Sequence, residues 1–224
     1  MISIVIPVLD EERALAATLD AALAQPRIAQ VLVVDGGSRD ATVAIASARR
    51  GTRVLRAPCG RAAQMNAGAR EALGDWILFL HADTILPPGA TALIAALGRE
   101  AQAGCFRQAF DAGGPMLAAI SWLHNARCRR TRIMYGDQAM FVRREAFLAA
   151  GGFPEVRELE DVLLSERLRK IAPPVLLEAT VVTSARRFLA HGVLASFLRV
   201  LAILVQHELG LRTALGRRFF EPVR

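Results

Sequence analysis

One lysine, one tyrosine and three cysteines are notable scarcities in a chain of 224 residues. The cysteines, Cys59, Cys105 and Cys128, are odd in number and far apart. They form neither a disulfide framework nor a CxxC pair, which makes a reducing compartment the default. The sole lysine, Lys170, leaves no GxxxxGK[ST] phosphate loop, and no GxGxxG follows the first apolar run. GxSxG and HExxH are missing as well, which removes the serine-hydrolase and zincin classes. No basic segment precedes the apolar opening, so a secretory leader is not expected. The longest late apolar stretch, residues 192–205, is interrupted by Arg199. It is shorter than the roughly 20 residues a spanning helix needs. The expectation is a cytoplasmic protein, at most held at the inner face of a membrane.

What is present begins with a core. Hydrophobic residues make up 53% of the chain and charged residues 22%, which excludes a disordered polymer. The net charge of +7 is unevenly placed: residues 1–112 carry 11 basic and 11 acidic groups, residues 113–224 carry 17 and 10. The excess is arginine. A GC-rich genome produces such a bias, and so does a second half that meets something anionic. With a single tyrosine and no recognisable binding module, nucleic acid is not the expected partner.

Short β-branched runs at residues 2–6, 30–35, 53–56 and 76–80 alternate with helical patterns at 11–24, from about 38, at 61–73 and after Pro87-Pro88. Near-continuous apolar strands separated by helices imply a mostly parallel sheet covered on both faces. Further on, the pattern predicts helices at 117–128 and 160–171, and strands at 134–142 and 175–182. A turn-rich joint is expected at 109–114, a stop at Gly151-Gly152, and a helical tail from Phe188 to Leu211. Ligands of such sheets bind beyond the carboxyl ends of the strands. Three acidic loops fall there: Asp10-Glu11-Glu12, Asp35-Gly36-Gly37-Ser38 and His81-Ala82-Asp83. Asp10 and Ser38 are also good helix N-caps. Asp35, Asp83, Asp137, Glu160 and Asp161 come without a nucleophile–base pair. Such acids, with arginine nearby, suit a divalent cation that shares its ligands with a substrate diphosphate.

The order of the blocks ISIVIPVLDEE, VVDGGSRDAT, GRAAQMNAGAREALGDWILFLHADT, GDQAMFVRREAFLAAGGFPE and ELEDVLLSERLRK resembles the family 2 glycosyltransferases. The likeness is greatest to a short bacterial branch in which HAD stands where an acid pair of DxD type is usual. It implies an α/β GT-A fold: a Rossmann-like, mostly parallel sheet with flanking helices and a C-terminal helical tail. Residues 1–187 would form one catalytic domain, with a nucleotide half at 1–110 and an acceptor half at 111–187, and residues 188–224 the tail. The implied activity is transfer of one sugar from a nucleotide-diphosphate sugar to a hydroxylated acceptor, inverting and dependent on Mn²⁺ or Mg²⁺. Pro7, Val8, Asp10 and Glu11 would line the nucleotide pocket, Asp35 with Gly36 would meet the base, and Arg61 the base or diphosphate. Asp83 would hold the metal and Asp161, beside Glu160, would act as general base.

Two positions depart from the family pattern. His81 replaces the first acid of the metal motif, and an imidazole suits Mn²⁺ better than Mg²⁺; it reads either as a ligand or as a strand-end hydrogen-bonding residue. The QxxRW pattern of processive members is replaced by Ser184-Ala185-Arg186-Arg187-Phe188, whose arginines, Arg187 among them, could reach a diphosphate. Acceptor contacts would come from Asp137, Gln138 and Trp122, the tryptophan reading equally well as core. The tail could pack against the domain or a second subunit as a homodimer. It could instead lie at a membrane surface with Arg199, Arg212, Arg217 and Arg218 near anionic head groups. A nucleotidyltransferase and a catalytically silent nucleotide-sugar-binding protein at a membrane are the competing readings.

Overall fold

The computed structural model describes residues 1–156 and 159–208 of the chain. Its strands are β1 (Ile2–Val8), β2 (Ile28–Asp35), β3 (Thr52–Arg56), β4 (Trp76–Phe79), β5 (Thr84–Ile85), β6 (Ala103–Phe110), β7 (Phe141–Arg143) and β8 (Val175–Thr183). They form one sheet in the order β3-β2-β1-β4-β7-β6-β8-β5. β1, β2, β3, β4, β6 and β8 run one way, and only β7 and β5 oppose them. The helices are α1 (Leu15–Leu23), α2 (Thr42–Ala48), α3 (Arg61–Arg70), α4 (Ala90–Ala95), α5 (Pro115–Thr131), α6 (Arg144–Ala149), α7 (Glu160–Ile171), α8 (Arg186–His191) and α9 (Val193–Glu208). The mostly parallel α/β architecture expected from the strand–helix alternation is the one observed.

The core has two layers because the sheet is buried on both faces. Ile2, Ile4, Ile6 and Val8 of β1 pack with α1 in one layer. Val5 faces the other, with Met65 and Ala69 of α3. This alternation is the period of two that a strand imposes. Gly68 lets α3 approach closely, since a Cβ there would lie 2.4 Å from Val5 Cγ1. Phe79 at the end of β4 meets Phe153 edge-on at 4.8 Å, which ties the residues after α6 to the centre of the sheet.

The structure departs from expectation at four points. The run at 134–142 is not one strand. Gly136–Gln138 forms a 3-10 turn, Ala139 takes a left-handed φ of 48°, and pairing resumes only at β7. β6 was not foreseen, because AGCFRQAF lacks the β-branched residues that mark strands from sequence; burial between β7 and β8 holds it instead. Asp10 and Ser38 do not cap helices, which begin later, at Leu15 and Thr42. They join two loops: the Asp10 N–H donates to Ser38 Oγ at 3.0 Å and the Arg39 N–H to Asp10 Oδ1 at 2.8 Å. The expected tail opens as α8 two residues early, at Arg186, and continues as α9. Its last part, including Leu211, Arg212, Arg217 and Arg218, lies outside the described residues.

Candidate active site

The carboxyl ends of β1, β2, β4 and β8 bring Glu11, Asp35, Asp83 and Arg186 to one edge of the sheet. The Arg186 guanidinium bridges the acids there. Its Nη2 lies 2.7 and 2.6 Å from the two Glu11 oxygens and 3.2 Å from Asp83 Oδ2. Asp111, just past β6, fixes the approach of this arginine, since its Oδ1 accepts the Ala185 N–H at 2.7 Å. Burial pushes the Glu11 carboxyl above its ordinary range, with Asp83 adding to the rise and Arg186 opposing it. Burial and the like charges of Arg61 and Arg186 lower the pKa of Arg187, while Asp83 and Glu11 partly offset them. Arg61 and Arg186 thus both lie within electrostatic reach of Arg187 at this edge, a preference for an anion built into the chain.

α7 supplies the second group. The Asp161 carboxylate sits in its first turn, where Oδ1 accepts the Val162 N–H at 2.8 Å and Oδ2 the Gly136 N–H at 2.7 Å. Its neighbour Glu160 is turned inward, only 3% exposed, and pairs through Oε1 with Arg61 Nε at 2.8 Å. Burial raises the Glu160 carboxyl, and Asp161 adds to that against the pull of Arg61. His81 links the two groups, within electrostatic reach of Asp83, Asp137 and Asp161. Burial, reinforced by Arg61, lowers its pKa, which favours neutral imidazole at neutral pH. The ring lies against the turn that holds Asp161: a Cβ on Gly136 would be 2.6 Å from His81 Nε2 and 3.4 Å from Asp161 Oδ2. Asp10, Ala139 and Leu159 have φ of 54°, 48° and 61°, so non-glycine residues hold left-handed backbone in the loops that carry the site.

The remaining candidates are distributed differently. Pro7 and Val8 are buried within β1, and the Val8 carbonyl accepts both the Gly36 N–H and Gln64 Nε2, so they support the pocket without offering side chains to it. Asp35 is buried and accepts the Ser38 N–H through Oδ1 at 2.9 Å. Asp137 lies 3.3 Å from His124 Nε2. Burial alone would raise its carboxyl, but His124, His81 and Arg127 outweigh it and hold it low. Gln138 is not available to an acceptor. It is fully buried, accepting the Tyr135 N–H and donating to the Phe106 carbonyl, because the turn needs its amide to close. Trp122 is not core either, being 66% exposed. It lies two residues from His124 on α5, hence on roughly the opposite side of the helix. His124 and Cys128, spaced as metal ligands might be, part company: His124 turns to Asp137 and Cys128 to Cys105, with 3.5 Å between the sulfurs.

The sequence signature of the family described as Glycosyl transferase family 2 matches residues 3–152. The chain belongs to this family. No curated protein matches the sequence significantly. Among solved structures, S. aureus TarS 1–349 in complex with UDP superposes with a TM-score of 0.66 at 19% identity, covering 82% of this chain and 60% of that one. The mannosyltransferase PcManGT from Pyrobaculum calidifontis, in complex with GDP-Man and Mn²⁺, gives 0.62 at 21% identity, over 81% of this chain and 56% of the other. Glucosyl-3-phosphoglycerate synthase from Mycobacterium tuberculosis, with Mn²⁺, UDP and glucosyl-3-phosphoglycerate, gives 0.65 at 17%, over 96% and 81%. This family 2 member therefore has the GT-A fold of those glycosyltransferases, while spanning about 60% of the TarS fragment.

Among the described residues of this family 2 chain, no group of three His, Cys, Asp or Glu side chains could hold a metal ion by itself. Arg186, Asp111 and Gln64 are the site residues that sequence reasoning missed or left unassigned. Arg186 carried a signal, its place in the SARRF segment. Asp111 and the buried Gln64, which donates to the Val8 and Val34 carbonyls at 2.8 and 2.7 Å, carried none.

Proposed function

We propose that this chain transfers a single sugar from a nucleotide-diphosphate sugar to a hydroxyl acceptor, with inversion and with a divalent cation. The observation that carries the reading is the Glu11–Arg186–Asp83 cluster at the strand ends, ringed by Arg61 and Arg187. Nucleotide sugars in structures of the same fold support it, as does the Mn²⁺ found in two of them. The donor set fits a cation. Two carboxylates converge on one positive group, the Arg186 guanidinium, which stands where a hard ion would find oxygen ligands. Diphosphate oxygens and water would complete the shell. When bound, the cation would stabilise charge on the departing diphosphate.

In this reading Asp83, with Glu11 opposite, would hold the cation. Arg186 exchanges its carboxylate partners for phosphate oxygens, and Arg61 and Arg187 neutralise the rest of the diphosphate. Asp10, Asp35 and Gly36 border the nucleoside. Asp161 takes the proton of the acceptor hydroxyl as that oxygen bonds to the anomeric carbon; the carbon–oxygen bond to the diphosphate breaks and its electron pair leaves with the phosphate. Both Asp161 oxygens accept a backbone N–H and each keeps a second lone pair, so the carboxylate is aimed without being used up. Glu160 holds Arg61, and Asp137 meets the hydroxylated acceptor. His81 positions the Asp161 turn.

The test is release of nucleoside diphosphate from a panel of UDP- and GDP-sugars with Mn²⁺ or Mg²⁺, for the native chain and the D83A and D161N variants. Release from one donor, abolished by D83A, is expected. Absence of release from every donor, with and without candidate hydroxyl acceptors, would overturn the assignment.

A further inference from the structure

A second surface lies away from the carboxylates, on α5, α8 and α9. Thirteen large apolar side chains are exposed among the described residues, and seven of them are on these three helices. Met116, Trp122 and Leu123 project from α5, Leu189 from α8, and Leu194, Leu198 and Leu201 from α9. The last three recur at i, i+4 and i+7, one stripe of a helix whose opposite side buries Ser196. The surface is continuous. A groove of about 390 Å³ runs between Pro115, Met116 and Leu117 on one side and Leu189, Val193 and Leu194 on the other. A second, of about 350 Å³, shares Gly113, Gly114 and Leu117 with it and extends to Trp122. Phe110 and Phe188, 4.9 Å apart, hold α8 against the end of β6, so the face is anchored to the sheet.

Charge distinguishes the possible occupants. α5, α8 and α9 carry six arginines and one carboxylate, Glu208 at the end of α9, and two of the six, Arg186 and Arg187, belong to the cleft. Arg129, Arg130 and Arg199 are exposed at the rim. The exposed acids beside it are already engaged: Glu178 is shared between Arg107 and Arg129, and Asp111 accepts the Ala185 N–H. A two-fold dimer through this face would bring arginine rims together with a single carboxylate, Glu208, on the three helices to meet them. Among the described residues no helix is long and apolar enough to cross a membrane. Apolar stripes with an arginine rim and an exposed tryptophan match an interface that lies on a bilayer and does not span it.

We propose that the α5–α8–α9 face docks onto anionic phospholipid. α8 carries Arg186 and Arg187 at its start and Leu189 within the face, so docking places the cleft beside the membrane surface. The acceptor would then be presented at that surface. This proposal is independent of which donor is used and of whether transfer occurs.

The two tryptophans make the test direct. Trp76 is 4% exposed and lies under Arg143, so a lipid-induced change in emission reports Trp122. The full chain is mixed with vesicles of phosphatidylglycerol and phosphatidylcholine, and with phosphatidylcholine alone, and followed by fluorescence and flotation. The expected result is a blue shift and flotation with the anionic vesicles only. Each of R129Q, R130Q and R199Q should weaken binding about five-fold. L194S/L198S should weaken it roughly tenfold or more at an unchanged melting temperature. The W122F variant should still float but lose the shift. Absence of flotation, equal binding to uncharged vesicles, or a concentration-dependent dimer that the leucine substitutions dissolve would each overturn the proposal, the last in favour of a second copy of the chain.

Discussion

Replacing Arg61 by methionine isolates the buried half of the site. Glu160 is 3% exposed, its Oε1 pairs with Arg61, and its Oε2 has no hydrogen-bond partner. Breaking a fully buried ion pair costs about 3–5 kcal/mol. Arg61 is 35% exposed, so solvent already screens part of the interaction. The discounted cost is about 2 kcal/mol, or a fall of about 4–8 °C in melting temperature for a chain of this size. The sign with pH follows from burial. The Glu160 carboxyl is raised above its ordinary value of 4.5 in the folded chain. Between that value and the folded one, the native state holds a proton that the unfolded state has lost, so stability falls as pH rises through the window. Below about pH 4.5 the carboxyl is protonated in both states and the cost vanishes. Removing Arg61 raises the folded value further and widens the window. Urea unfolding should therefore show R61M nearly as stable as the native chain at pH 4 and about 2 kcal/mol weaker at pH 8. E160Q should restore most of the loss in the double variant. An equal deficit at both pH values, or no recovery with glutamine, would refute the argument.

Other outcomes follow from single contacts. G136A places a methyl 2.6 Å from His81 Nε2, so the turn and the imidazole must both yield. A loss of about 1–3 kcal/mol in thermal unfolding is expected, with Asp161 displaced and transfer reduced. D161N should leave nucleotide affinity intact by calorimetry while lowering transfer about 10²–10⁴-fold; undiminished turnover would remove Asp161 from the proton-accepting role. R186Q frees Glu11 and Asp83, so titration of the nucleotide-free chain with Mn²⁺, followed by electron paramagnetic resonance, should show tighter binding than in the native chain; weaker binding would refute the cation-like role of the guanidinium. Of the three thiols, Cys59 alone is exposed, whereas Cys105 and Cys128 are buried together. Hydrogen bonding from Cys105 lowers the Cys128 thiol to about 7, yet access should govern the rate. A thiol reagent should titrate one group rapidly in the folded chain and all three only in denaturant.

The four leading strands are legible because both faces of a mostly parallel sheet are covered, which turns each strand into an apolar run visible without neighbours. Asp10, Asp35 and Asp83 are legible for the same reason: in such a sheet, residues just past successive strands must share an edge. β6 is not, since its alanine, glycine, cysteine and glutamine form a strand only where β7 and β8 supply partners. Gln138 reads as a polar residue for a ligand until the Tyr135 N–H and Phe106 carbonyl are seen to occupy its amide. Trp122 offers no local clue to whether it is buried or exposed, because apolar Ile120 and Leu123 and polar Ser121 and Asn125 all surround it on α5.

Local chemistry, read along the chain, determined the α/β alternation, the acids at the strand ends and the arginine excess of the second half. Those features depend on side-chain period and composition, which are properties of short segments. Only the tertiary structure decided which charges meet. Arg186 and Glu11 are 175 residues apart in sequence, and Gly136 is a hydrogen-bond donor to Asp161 only because α7 returns beneath the turn. Such pairings arise when the sheet closes and desolvates several loops at once. No segment carries that information, because the energy that selects each partner belongs to the burial they share.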